Sequence, residues 1–243
     1  MSIAGRFQAA LDEADDPELA GPELLPVRLA RACARTLAVD GAGLSLVDAA
    51  QQRVPLGASS EEAEVAERLQ FTVGAGPCLT VQDTRQPVFA VEDDLRQRWP
   101  VFTDLLVRST SFRAAVGLPL QPALAGTGAI DLYFRGSADV LALDVFEAVA
   151  VGELVTSMLG DAAVWSEWSP AEGPEWLHGP TPQRRAAVWE AMGRLSIALE
   201  VSAPAALDLL RAHAYGAGRT VDDVAGELLA GHLRPADLQA DAG

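Results

Sequence analysis

The chain has 243 residues, 49% of them hydrophobic and 6% aromatic, which suffices for a real core and excludes intrinsic disorder over most of its length. It carries 34 acidic against 18 basic residues, a net charge of −16, and every basic residue is arginine. So acidic a chain is poorly suited to gripping nucleic acid through a broad basic face, although a few placed arginines can still read phosphates and base edges.

No stretch approaches the ~18 uninterrupted apolar residues of a membrane helix. The opening MSIAGRFQAALDEADD lacks the apolar block of a signal peptide. Two cysteines far apart in sequence suggest neither a disulfide framework nor a zinc site. The expectation is a cytosolic protein.

In chain order, Leu24 to Ala38 carries a helical apolar stripe through Leu25, Leu29, Ala32 or Cys33, and Leu37. Gly43 to Val47 alternates like a short strand, with Gln51 to Leu56 as its partner. Ser59 and Glu62 suggest a capping box for a helix through Ala63, Ala66 and Leu69. Val88 to Val91 reads as strand, and Trp99 to Val107 as a short helix with Pro100 in its first turn. Arg113 to Leu120 and Ala129 to Arg135 read as strands around a Gly-rich turn, and Leu141 to Leu159 as a closing helix. Sequential strands between helices predict an α+β domain with a central antiparallel sheet and room for a ligand cavity.

Residues 166–181, rich in proline and glycine and without apolar periodicity, read as a linker between domains at 1–165 and 182–238. Its tryptophans predict that it packs onto a neighbour. The tail reads as three helices, a small all-α bundle. Thr181 caps the first, which carries Val188, Ala191 and Leu195 inward. Ser202 and Pro204 open the second, and Thr220 the third, with Val221, Val224, Ala225 and Leu228 inward.

Catalytic chemistry is hard to find. His178, His213 and His232 all lie in the linker or the tail, and neither a phosphate loop nor a dinucleotide fingerprint occurs. The adjacent Asp93 and Asp94 have no clustered partner ligands and read as solvated or cap groups. The expectation is no enzyme and no metal. Cys78, beside a Gly-Pro turn, reads either as a ligand-sensing or redox-sensing thiol or as a small buried hydrophobe. Cys33, on an apolar helix face, reads as core.

Two family resemblances enter here. Leu25 to Asp48, PLGAS (Pro55 to Ser59), GAGPCLT (Gly74 to Thr80), RWPVF (Arg98 to Phe102), GLPL (Gly117 to Leu120) and GAIDLYF (Gly128 to Phe134) together resemble a GAF domain of the actinobacterial type. That resemblance implies small-ligand or redox sensing. The absence of His from the domain, with Leu79 after Cys78, predicts that it holds no haem, bilin or metal. The tail resembles an ANTAR domain, an RNA-binding antiterminator module. The matching residues are Ala191, Gly193 and Leu195, then Ala206, Leu210 and Arg211, then Val224 and Ala225; Met192 stands where that family usually has Lys.

The pairing implies a signal-responsive transcription antitermination regulator that binds paired RNA hairpins near terminators. Arg185, Arg194, Arg211 and Arg219 are the expected RNA contacts, and Arg184 and Arg185 are expected to be exposed. The rival reading is a sensor or interaction protein whose acidic tail dimerises without binding RNA. A wide apolar arc on the closing helix, and a similar excess in Trp189, Met192, Ile197 and Val201, predict a homodimer.

Overall fold

The computed structural model describes residues 1–14, 16–47, 52–120, 127–165 and 173–240. The expected strand start at Gln51, the Gly-rich turn after Leu120 and the expected linker tryptophan Trp168 lie outside the described residues. Two helices open the chain. Helix α1 (Ile3–Glu13), unforeseen in the sequence, is capped by Ser2, whose hydroxyl accepts from the Gly5 amide. Helix α2 (Leu25–Thr36) buries Leu29, Ala30, Ala32 and Cys33 on one face, as its apolar spacing predicts.

Strands β1 (Gly41–Val47) and β2 (Arg53–Ala58) follow, then α3 (Glu61–Val73), α4 (Pro77–Thr84), β3 (Val88–Ala90), α5 (Glu92–Arg98) and α6 (Pro100–Ser109). Strands β4 (Ala114–Leu120) and β5 (Thr127–Phe134) lead to α7 (Asp139–Ala142) and α8 (Val145–Trp165). The five strands form one antiparallel sheet in the order β2-β1-β5-β4-β3.

The period of two along each strand creates two cores. Ala42, Leu44, Val116, Leu118, Ile130, Leu132 and Phe134 face α1, α2 and α8. Ala115, Ala129 and Tyr133 face the opposite way, toward α3, α4, α5 and α6. Truncating a core residue such as Leu29, fully buried, would cost about 2–5 kcal/mol.

Several local expectations are corrected. Helix α3 is capped by Ser60, whose hydroxyl accepts from the Ala63 amide, while Ser59 is occupied in accepting from the Ala42 amide. Gly74, at φ +71°, ends α3 in the left-handed conformation a side chain disfavours. The GPC segment then starts a helix instead of remaining a turn. Asp93 and Asp94 lie in the first turn of α5, where the Asp94 carboxylate accepts from the Val91 amide.

Within the described part of the linker, Trp176 is buried and donates its indole N–H to the Leu159 carbonyl at 3.3 Å. Four helices complete the chain: α9 (Pro180–Leu199), α10 (Ala203–Gly216), α11 (Val221–Ala230) and α12 (Pro235–Ala240). Helix α9 begins one residue before Thr181, the expected cap. Gly231, in the left-handed conformation, ends α11, and an additional helix follows: Leu238 of α12 joins the core that α9, α10 and α11 build.

Candidate functional site

Charged side chains are buried in the face of the sheet covered by α3 and α4. Arg53 of β2, Glu67 of α3 and Asp131 of β5 are each at most 6% exposed. The register explains their room. Asp131 stands opposite Gly43 on one neighbouring strand and Gly117 on the other. A Cβ on Gly43 would lie 2.5 Å from the Glu67 carboxylate, and one on Gly117 would lie 2.7 Å from Val81. The two glycines therefore form a hollow in the sheet around Asp131 that Glu67 and Val81 fill.

Hydrogen bonds tie the cluster together. Arg53 Nη2 donates to Glu67 Oε2 at 3.0 Å, and the Tyr133 hydroxyl donates to Glu67 Oε1 at 2.6 Å. Gln70 Nε2 donates to the Tyr133 hydroxyl, and Gln70 Oε1 accepts from the Cys78 amide at the start of α4. Cys78 Sγ lies 3.3 Å from Ser45 Oγ, which accepts from Gln82 Nε2. A register irregularity at Leu44 and Ser45 in the β1–β2 ladder sits beside that contact.

Burial, then the charge of Glu67, holds the Asp131 carboxyl well above the usual carboxylate range, against the opposing pull of Arg53. Burial likewise pushes the Cys78 thiol well above its ordinary value; Arg53 opposes this, while Asp131 and Glu67 add to it. Both shifts favour the protonated forms of Asp131 and Cys78. The glutamate, the cysteine and the aspartate each offer a ligand atom, all within 4.8 Å of one another.

The thiol expected to sense ligand or oxidant is closed off from solvent. We expect neither Cys78 nor Cys33, whose thiol is also raised by burial, to react with a colorimetric disulfide reagent at pH 8 in the folded protein, and both to react fully in denaturant. Native Cys78 reacting at the rate of a free thiol would contradict its placement. The space beside Glu67 amounts to about 10 Å³, room for one water and not for an organic molecule. A surface cleft of about 300 Å³ lies elsewhere, between Glu13, Arg31, Arg35, Asp40 and Ser60.

Helix α3 has a second face, toward the C-terminal helices. Phe71 lies in their core, edge-on to Trp189 at 5.5 Å. Thr72 Oγ1 accepts from the Val221 amide, and Arg68 bonds Thr220 and Asp223 at the start of α11. The apolar excess of Trp189 and Met192 on α9, and of Val201 just after it, is therefore covered within the chain, leaving Ile197 exposed.

The four expected RNA-contact arginines separate. Arg185, expected to be exposed, is 1% exposed: it forms a two-point ion pair with Asp222, at 3.2 and 3.5 Å, and its guanidinium lies 3.4 Å from the Phe71 ring centroid. Burial pushes its pKa down to about 10, with Asp222 opposing. Arg211 is also held inward, its Nε donating to the Phe71 carbonyl at 3.1 Å. Arg194 and Arg219 are exposed or half-exposed, paired with Glu190 and Glu227. Arg184 bonds Glu64 of α3. Helical phase alone could not find these burials, because the partner surface belongs to a distant part of the chain.

No family model matches the sequence, and no curated protein matches it. Among solved structures, the chain is similar to the GAF domain of a phosphoenolpyruvate-protein phosphotransferase from Coxiella burnetii, at 13% identity and a TM-score of 0.44, covering 67% of this chain and 98% of that one. It is similar to the corresponding Acinetobacter GAF domain at 10% identity and a TM-score of 0.42, over 70% and 100% of the two chains. SdiA in complex with octanoyl-rac-glycerol is similar at 13% identity and a TM-score of 0.43, over 95% and 96%. At these scores the likenesses assign no ligand and no activity.

Proposed function

We propose that the chain is a signal-responsive regulator in which a GAF-like sensor half acts on ANTAR-like C-terminal helices that bind paired RNA hairpins in transcription antitermination. The observation that supports coupling is the double role of α3. Glu67 and Gln70 enter the buried polar cluster, while Arg68, Phe71 and Thr72 hold α9, α10 and α11. A rearrangement of the cluster that shifts α3 must disturb both sets of contacts, since packed interiors do not deform continuously. The RNA half rests on the sequence resemblance. The proposal assigns no catalytic step to the chain.

Binding of the full chain to a two-hairpin RNA, measured by anisotropy across a salt series, tests this reading. Arg219→Ala and Arg194→Ala are expected each to cost about 1–3 kcal/mol, a five- to more than hundredfold loss, with the salt slope reduced by about one per phosphate contact. Arg211→Ala is expected to leave RNA affinity unchanged while loosening the junction, because Arg211 is occupied with Phe71.

The second reading, a sensor whose helices serve protein contacts only, is favoured by the burial of Arg185 and by the acid partners of Arg194 and Arg219. No binding at low salt would establish it over the first. In either reading we propose a homodimer through the exposed apolar strip of Leu141, Val145, Phe146 and Val149. Light scattering at micromolar concentration is expected to give a dimer, and Phe146→Glu a monomer. A wild-type monomer would remove the dimer.

A further inference from the structure

We propose that Glu67, Cys78 and Asp131 form a binding site for one divalent transition-metal ion of the zinc and iron(II) class. The inference names the ligand of the sensor half and rests on that half of the proposed function only. The first observation is convergence. The consecutive helices α3 and α4 and the distant middle of β5 bring one sulfur and two carboxylates to within 4.8 Å of each other in a buried setting.

The second observation is independent of the first. Asp131 is fully buried, yet neither of its oxygens has a hydrogen-bond donor among the described residues, and the nearest cation, Arg53 Nη2, stays at 3.7 Å. A buried carboxyl without a donor costs roughly 1–3 kcal/mol or more, so the fold tolerates an unmet ligand group aimed at its neighbours. The surroundings are ordered to hold it: Tyr133 and Arg53 fix the two oxygens of Glu67, and Gln70 fixes the Cys78 amide.

Charge and size select the ligand. Metal–sulfur and metal–oxygen bonds of about 2.0–2.3 Å imply ligand atoms about 3.5 Å apart, so the trio needs to contract by about 1 Å. A single ion meets that requirement. With a divalent ion bound, three anionic ligands offset the ion and Arg53, so the cluster holds no uncompensated buried charge. A thiolate with two carboxylates suits a borderline ion; magnesium and calcium prefer all-oxygen sites. Three protein ligands leave a fourth position beside Ser45, whose hydroxyl is 3.3 Å from the thiol.

Anaerobic titration of the full chain with Co²⁺ tests the site. The expected result is a sulfur-to-cobalt charge-transfer band that saturates at one ion per chain and that Zn²⁺ abolishes. The band should survive Cys33→Ser and disappear in Cys78→Ser, and Asp131→Asn should weaken Co²⁺ binding at least tenfold. No band in the folded wild type, or a band that survives Cys78→Ser, would overturn the site. Should Cys78→Ser fail to fold, wild type, Cys33→Ser and Asp131→Asn still decide, since an unchanged affinity in Asp131→Asn also overturns it. The hairpin-RNA titration fails or succeeds independently, so loss of the RNA reading leaves the cobalt result standing.

Discussion

Replacing Arg185 by alanine is expected to destabilise the protein by about 3–5 kcal/mol, the largest effect of any charged residue on the C-terminal helices. The side chain is buried, makes a two-point ion pair with Asp222 and lies over Phe71, so its removal leaves an unpaired buried carboxylate and a void against the aromatic ring. For a chain of this size that corresponds to a drop in Tm of roughly 6–20 °C. Urea denaturation followed by circular dichroism measures it. The paired replacement Arg185→Met with Asp222→Leu should recover most of the loss, because the cost comes from the orphaned charge. Arg184→Ala, whose side chain is half-exposed against Glu64, should cost no more than about 1 kcal/mol. Equal losses for Arg184→Ala and Arg185→Ala would mean that Arg185 is solvated.

Arg53→Met is expected to have a comparable cost, again about 3–5 kcal/mol near pH 7, but with a distinct pH dependence. The substitution keeps an apolar stem and removes the cation that neutralises Glu67 and opposes the rise of Asp131. Without it the folded state holds the Asp131 proton to higher pH than the unfolded chain does. Stability then falls as pH rises, since the native state is the one holding more protons. The penalty should therefore be small near pH 4, about the value for an unfolded carboxylate, and grow through neutral pH. Denaturation midpoints of wild type and variant across that range check the sign. A penalty that grows on acidification would contradict the charge assignment at Asp131.

Much of the architecture was legible along the chain because local periodicity reports which face of an element is buried. Ala114 to Leu120 and Ala129 to Phe134 alternate between two cores and were readable as strands, and the stripe from Leu25 to Leu37 was readable as a helix. Short elements were not. In GAGPC the glycines suggest a turn, yet Pro77 is a first-turn helix residue, and α4 is held by Gln70, eight positions before Cys78. The choice of Ser60 over Ser59 as cap was decided by β1, whose Ala42 amide claims the Ser59 hydroxyl.

The candidate site was only half visible. Cys78 was singled out, and one further signal lay in the open: Asp131 interrupts the apolar strand AIDLYF at an interior position, where a charge requires a partner. Its partners could not be read, because Arg53 and Glu67 are ordinary charged residues in their own segments and meet only when β2, β5 and α3 pack.

What the sequence by itself determined is therefore the kind of each long element, the antiparallel sheet and the placement of the helices at the chain's end, all consequences of apolar spacing. Only the tertiary structure decided which charges are buried. A helical position is exposed or enclosed according to what lies across from it, and for Arg185 that is Phe71, 114 positions earlier. The same reason governs Arg53, Glu67 and Asp131: the hollow they occupy exists because Gly43 and Gly117, on separate strands, flank one aspartate, and register is a property of the assembled sheet.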